Sequence, residues 1–119
     1  MEEVKQKTCI TAWAKIYIAG PLAVIEQTCR DWCMEGACVT VTPTNYIYTM
    51  GEESGAEIGL IHYPRFPKVP PGDSHPIAQT MITEEAIHLG EQIMKDACQG
   101  SFTVMTPEKT FFYSRRKGD

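Results

Sequence analysis

A short run of aromatic and cationic side chains offers the clearest binding chemistry in this sequence. Residues 62–68 read His-Tyr-Pro-Arg-Phe-Pro-Lys. Aromatic rings stack on nucleobases, and the planar guanidinium of arginine can bind phosphate through two hydrogen bonds. We therefore predict that four of these side chains bind a ligand: Tyr63, Arg65, Phe66 and Lys68. In the alternative interpretation, Tyr63 and Phe66 only anchor the segment to the core.

A second cationic group lies at the end of the chain, where Arg115, Arg116 and Lys117 follow one another. A positive patch on an otherwise acidic protein suits an anionic ligand, and we predict Arg115 and Arg116 as ligand contacts. The alternative is a solvated terminus. In a symmetric oligomer, copies of this tail could converge on one ligand.

The five cysteines raise the question of a metal site. Cys29, Cys33 and Cys38 could in principle join His62 or His75. However, Cys29 and Cys33 are one helical turn apart within an apolar stripe, and zinc sites usually show paired ligand clusters at characteristic spacings. We predict buried, reduced thiols, with no metal and no cofactor.

No complete catalytic motif is present. The chain lacks a Gly-x-Ser-x-Gly elbow, a phosphate-binding loop and a glycine-rich dinucleotide motif. Glu52, Glu53 and Glu57 could supply acid–base chemistry, but such a group in a hairpin turn is more typical of a hydrated surface. The sequence therefore favours a binding protein over an enzyme, with no catalytic residues.

Size and charge limit the alternatives further. A length of 119 residues suits one domain, which we place at 1–119. The formal charge of −4 argues against duplex nucleic acid as a partner, because that role needs a basic face. The N-terminus has no signal-peptide pattern and no apolar run is as long as a membrane span, so we expect a cytoplasmic protein without membrane contact.

The order of predicted elements is β-α-β-β-β-α-β-β. Residues 12–19 alternate as a strand, and helical apolar stripes follow Pro21 and Thr83. Pro43 separates two predicted strands at 38–42 and 45–50. Residues 56–63 form the next strand, a proline-rich loop at 64–82 is a candidate lid, and a hairpin at 101–114 ends the fold. We predict an α+β fold with two helices on one face of a mainly antiparallel sheet, ferredoxin-like with added strands.

The helices can cover only one face of such a sheet. The other face would carry the aromatic side chains Trp13, Tyr17, Tyr46 and Tyr48. Large exposed apolar patches usually mark an interface or a ligand site. We therefore expect a homo-oligomer, a dimer or higher.

Two resemblances to known families point to different functions. Residues 15–22 (KIYIAGPL) and 54–59 (SGAEIG) resemble motifs of nucleoside 2-deoxyribosyltransferases, which implies Tyr17 as an assisting residue and Glu57 as the glycosyl-accepting nucleophile. Three longer stretches, residues 12–21 (AWAKIYIAGP), 38–49 (CVTVTPTNYIYT) and 59–67 (GLIHYPRFP), resemble the first family of phage Thoeris anti-defence proteins.

The Thoeris resemblance covers more of the chain, and we prefer it. It implies a homo-oligomer in the cytoplasm of the infected bacterial host that sequesters a cyclic ADP-ribose-type or cyclic oligonucleotide immune signal without cleaving it. The expected ligand is thus a small nucleotide. The nucleoside transferase is the alternative.

Overall fold

The computed structural model describes residues 2–65, 67 and 75–119, with only the backbone described at residue 75. Within these residues the chain forms five strands and two helices, and their bounds are as follows: β1 Trp13–Ala19, α1 Leu22–Cys33, β2 Val39–Tyr48, β3 Gly51–Ile61, α2 His75–Asp96, β4 Ser101–Met105 and β5 Thr110–Ser114.

The five strands make one antiparallel sheet in the order β2-β3-β1-β4-β5. The first four strands have the ferredoxin-like order, and β5 is added at one edge. Each helix crosses one strand of the sheet, since α1 joins β1 to β2 past β3 and α2 joins β3 to β4 past β1. The two helices pack against each other and the sheet. The predicted α+β fold class is confirmed.

The alternation of β1 places the core. Ala14, Ile16 and Ile18 are at most 2% exposed, whereas their neighbours in sequence are partly open. Ile58 and Leu60 of β3 continue this buried layer. Successive side chains of a strand point to opposite faces, so the central part of one face of the sheet is apolar.

Helix α1 begins after Pro21, as its sequence predicts, and buries Ile25 and Cys29. Its contact with α2 includes a polar tie, because Thr28 Oγ1 donates a 2.7 Å hydrogen bond to Asp96 Oδ2. Helix α2 buries the predicted stripe against the sheet; these residues are Ala86, Leu89, Ile93, Met94 and Ala97.

The predicted loop at 64–82 is wrong in its second half. Helix α2 begins at His75, eight residues before the predicted start at Thr83. Pro76 favoured a loop in the sequence, yet it lies in the first helical turn, where a missing N–H costs no hydrogen bond. Ala78 and Ile82 are then buried as part of the helix. Residues 66 and 68–74 lie outside the described residues.

The predicted break at Pro43 is also wrong. Residues 39–48 form one continuous strand in which Pro43 pairs with Ala56 of β3. Strand β2 is at the edge of the sheet, where proline is tolerated because its nitrogen can face away from the ladder. The turn after it is tight, with only Thr49 and Met50 between β2 and β3, so Glu52 and Glu53 belong to a strand rather than to a turn.

No helix of the described residues is long and apolar enough to cross a membrane.

Candidate functional site on the open face of the sheet

The side of the sheet away from the two helices is here called the open face. Its residues follow from the register of the strands and from the buried positions of their neighbours. On the central strands they are Trp13, Lys15, Tyr17, Glu53, Gly55, Glu57, Gly59 and Ile61. On the outer strands they include Thr40, Thr42, Tyr46, Tyr48, Met105 and Phe112. The predicted aromatic face is thus present, with charged side chains among its rings.

An ion pair lies at the centre of the open face. Lys15 Nζ is 3.2 Å from Glu57 Oε1, and the two side chains are 44% and 29% exposed. The Lys15 ammonium is also 5.9 Å from the centroid of the Trp13 ring. The ammonium group therefore pairs with a carboxylate, and it lies near the outer limit of the cation–π distance from an aromatic ring.

Two tyrosines border Glu57. Tyr17 is its cross-strand partner on β1. Tyr46 donates a 2.6 Å hydrogen bond to the carbonyl oxygen of Ala56. Burial raises the pKa of Tyr46 to about 12, and the nearby Glu57 and Tyr17 act in the same direction. The Tyr46 phenol therefore stays protonated and serves as a hydrogen-bond donor.

A hollow of about 620 Å³ lies at the Trp13 end of this face. Its walls include Trp13, Lys15, Thr40 and Ile61, and Gly59 forms part of its floor. A β-carbon at Gly59 would come 2.5 Å from Thr40 Oγ1, so a larger residue would crowd this part of the hollow. The volume lies within the usual range of small-molecule sites.

Two buried polar side chains fix the backbone around the hollow. Gln79 of α2 accepts a hydrogen bond from the Trp13 amide and donates one of 2.8 Å to the Trp13 carbonyl. His62 is 4% exposed, and its Nδ1 lies 2.7 Å from the Ile10 carbonyl oxygen. Its amide donates to the Ala12 carbonyl. These contacts hold residues 10–13 along one wall.

The four predicted contacts at 63–68 are only partly described. Tyr63 is absent from the walls of the hollow, and hydrogen bonding with the Cys38 side chain raises the pKa of Tyr63 to about 12. Arg65 is exposed at the same end of the sheet. Phe66 and Lys68 lie outside the described residues. Ligand binding by this group stays a prediction.

Arg115 and Arg116 lie at the other end of the sheet. The Arg115 Nε donates a 2.9 Å hydrogen bond to the Gln99 carbonyl, and its Nη2 donates to Met94, so Arg115 satisfies carbonyl groups at the end of α2. The pairings Trp13 with Ile61 and Ser101 with Ser114 put the two predicted cationic groups at opposite ends, roughly 20 Å apart over the length of β1. Within one chain they do not converge.

All five cysteines are free thiols. Cys29 is buried in the core, and burial raises its pKa to about 11. Cys38 and Cys98 are exposed, which the prediction of buried thiols did not anticipate. Among the described residues, no cluster of three or more His, Cys, Asp or Glu side chains could hold a metal ion.

The sequence placed Trp13, Lys15 and Tyr17 on one face but missed the site they form with Glu57 and Gly59. The sequence places Glu57 in a strand at 56–63 but groups it with Glu52 and Glu53 as a hydrated surface; in the structure it lies opposite Tyr17 in mid-strand. The two transferase-like motifs contain Tyr17 and Glu57, so the sequence did hold a signal that these residues belong to one site. What was missing was the register that joins β1 to β3.

Comparison with known proteins gives a match in fold alone. No protein-family model matches this chain, and no curated protein matches its sequence. A phage SAM lyase in the apo state matches with a TM-score of 0.57 and 14% identity, over 98% of this chain and 100% of that chain. A phage SAM lyase in complex with S-methyl-5′-thioadenosine matches with a TM-score of 0.52 and 12% identity, over 99% and 100%.

These matches correct the expectation that the protein is not an enzyme. Both solved structures are of a lyase, and each match covers nearly the whole of this chain. A fold of this kind can therefore carry a catalytic site. Absence of a familiar catalytic motif therefore does not exclude an enzyme, because function depends on a site built on the fold and that site need not carry a short sequence signature. The chain has the fold of a phage enzyme that, in one structure, holds a small nucleoside.

Proposed function

We propose that the protein is a phage anti-defence enzyme that cleaves S-adenosylmethionine (SAM) on the open face of its sheet. The observation that carries this proposal is the fold match to phage SAM lyase along 98% of this chain and all of the other. The second structure contains S-methyl-5′-thioadenosine, a compound that keeps the adenosine, sulfur and methyl group of SAM.

The reaction follows from comparing these two molecules. The bond between sulfur and the four-carbon amino-acid chain of SAM breaks, and sulfur keeps the electron pair and becomes a neutral thioether. Water is not needed, because the four-carbon fragment either closes onto its own carboxylate as a lactone or loses a proton from the neighbouring carbon to a base such as the Glu57 carboxylate and becomes an alkene. In both cases the positive charge of the sulfonium disappears.

The open face has groups that suit such a substrate. Glu57 provides a carboxylate, 29% exposed, for the sulfonium, and Trp13 provides an aromatic face nearby. The hollow of about 620 Å³ next to them is large enough for a nucleoside. Tyr46 donates a hydrogen bond from its phenol to the Ala56 carbonyl and so fixes the backbone next to Glu57.

The test is direct. Purified protein is incubated with SAM, and the products are separated and identified by mass spectrometry, with heat-denatured protein as the control. We expect S-methyl-5′-thioadenosine to accumulate with repeated turnover. Intact SAM after long incubation at micromolar protein would overturn the proposal.

The more specific ligand predicted from the sequence, a cyclic ADP-ribose-type or cyclic oligonucleotide signal, stays a prediction. The same assay tests it if these compounds are added as competitors of SAM. Competition at micromolar concentration would indicate a shared nucleotide site. Lack of competition would remove the prediction for this face.

Self-association and location are parts of the same proposal. Phe112 is 59% exposed and Ile61 is 47% exposed on the open face, so association of copies there would bury apolar surface. We propose a homo-oligomer acting in the cytoplasm of an infected bacterium. Light scattering that gives a mass of one chain, 13.3 kDa, at micromolar concentration would contradict the oligomer.

A further inference from the structure

The ion pair at the centre of the open face has a geometry that is informative about ligand charge. Lys15 Nζ is 3.2 Å from Glu57 Oε1 and 5.9 Å from the Trp13 centroid. In this arrangement an ammonium group is held beside a carboxylate and near an aromatic face. These are the two partners that a ligand cation would need.

We propose that Lys15 and Glu57 select the ligand by exchange of ion pairs, so that Glu57 binds a ligand sulfonium while Lys15 moves to the ligand's carboxylate. This inference rests on the proposed function, because it describes how the same site recognises its substrate. Both residues then contact the ligand, and each recognises one of its charges.

Charge balance on the open face favours this exchange. A sulfonium that approached Glu57 alone would leave the Lys15 ammonium next to a second cation without its partner, and like charges at short distance repel. A ligand that also brings a carboxylate gives Lys15 a new partner. The pair is therefore matched to a ligand that carries both charges.

The mobility of the two side chains makes the exchange feasible. Lys15 is 44% exposed, and its ammonium ends a flexible four-carbon stem. Glu57 is more buried, and its strand is paired on both sides, to Tyr17 on β1 and Thr42 on β2. Lys15 is thus the partner that moves, and Glu57 is the fixed one.

The neighbouring glycine supplies room for the ligand. Gly59 lies two residues after Glu57 on the same face and opposite Lys15 in the β1–β3 register. Because it has no side chain, the hollow extends up to the ion pair, and both Lys15 and Gly59 are among its walls. A ligand in the hollow would therefore contact Lys15, with the Glu57 carboxylate 3.2 Å from the Lys15 ammonium.

Three ligands and two variants test the exchange by calorimetry. Sinefungin carries a cation at the sulfur position and a carboxylate, S-adenosylhomocysteine lacks the cation at sulfur, and decarboxylated SAM lacks the carboxylate. Glu57→Gln should weaken sinefungin and decarboxylated SAM roughly ten- to a hundredfold and spare S-adenosylhomocysteine. Lys15→Met should weaken the two ligands that carry a carboxylate and should strengthen binding of decarboxylated SAM, because it removes the repulsion between the ammonium and the sulfonium.

Controls separate a charge effect from a loss of structure. Glu108→Gln and Lys109→Met make the same chemical changes in the exposed β4–β5 turn, and we expect no change in the affinity of any ligand. Lys15→Arg keeps the positive charge, so it should retain most of the affinity for sinefungin. Circular dichroism and thermal unfolding should show that every variant is folded.

The outcomes distinguish this inference from the proposed function. If the parent protein forms S-methyl-5′-thioadenosine but both variants weaken all three ligands equally, the exchange is wrong and the cleavage activity stands. If the ligand-specific pattern appears and no SAM is cleaved, the exchange stands and the enzymatic proposal is wrong. A parent protein that neither binds these ligands nor cleaves SAM overturns both.

Discussion

The covered face and the open face of the sheet are built from the same strands by residues that alternate in sequence. On the covered face, Ile16, Ile58 and Leu60 are at most 2% exposed and contact the helices. On the open face, their immediate neighbours include Lys15 and Glu57, which form a partly exposed ion pair. Adjacent residues of one strand therefore differ in role, since one packs in the core and the next presents a charged group on the open face.

This difference indicates that the proposed ligand recognition is separable from the stability of the fold. The covered face contributes most of the free energy of folding, since burial of apolar area is the dominant favourable term. The open face keeps polar and aromatic groups that no helix of the described residues covers. Substitutions on the two faces should therefore have different effects, even at adjacent positions.

The largest expected effect on stability comes from the covered face. Ile58→Ala removes a fully buried side chain, and we expect a loss of about 2–5 kcal/mol in the free energy of unfolding. Urea denaturation at neutral pH measures this loss. A loss below about 1 kcal/mol would mean that the covered face is not the main source of stability.

The adjacent residue on the open face should give the opposite result. Glu57→Gln is nearly isosteric, and exposed ion pairs contribute about 0.2–1 kcal/mol, so the free energy of unfolding should change little. If SAM is the ligand, its affinity should fall roughly ten- to a hundredfold, as loss of a charge-assisted contact costs about 1.5–3 kcal/mol. Glu52→Gln is the matched control. Equal loss of SAM affinity in the Glu57→Gln and Glu52→Gln variants would contradict a specific role of Glu57 in binding.

The floor of the hollow provides a third test. Gly59→Ala places a β-carbon 2.5 Å from Thr40 Oγ1, and crowding of this kind costs about 1–3 kcal/mol. The second substitution Thr40→Ala removes that hydroxyl and should restore part of the lost stability. Denaturation of the single and double variants measures the coupling between the two positions. Additive effects would show that Thr40 is not the group that crowds this position.

The smallest effect, at Tyr46, depends on pH. Tyr46→Phe removes the 2.6 Å hydrogen bond to Ala56 and should cost about 0.5–1.5 kcal/mol at neutral pH. The pKa of Tyr46 is about 12 in the folded protein, above its ordinary value of 10, so the folded state holds the phenol proton more tightly. Stability from this group is therefore complete below pH 10 and is lost as the pH rises through about 12.

Thermal unfolding of the parent and the Tyr46→Phe variant between pH 8 and about 12 tests whether the stability contributed by Tyr46 falls as the pH rises. The difference between them should shrink as the pH approaches 12. A difference that grows with pH would contradict the assigned hydrogen bond.

Much of the fold could be predicted because its signals are local. The alternation of β1 and the spacing of Leu89 and Ile93 on α2 are properties of a single segment. The errors at Pro43 and Pro76 have one cause, which is that the cost of proline depends on its place in the fold. Pro43 lies in an edge strand and Pro76 in a first helical turn, and neither position loses an essential hydrogen bond.

The candidate site was harder to predict because its residues are distant in sequence. Lys15 and Glu57 meet only through the β1–β3 register, and Trp13 is held by Gln79, which is 66 residues away. In contrast, Tyr63 and Arg65 are separated by one residue, so a sequence pattern can group them, and ligand binding by that group stays a prediction.

Pro43 also bears on how copies of the chain can meet. An edge strand with a full row of free N–H and C=O groups is a template for adding a strand from another molecule, and this is a common route to aggregation. In β2 that row is interrupted near its middle, because proline offers no N–H. The interruption should disfavour growth of a continuous intermolecular sheet along this edge, even at high protein concentration.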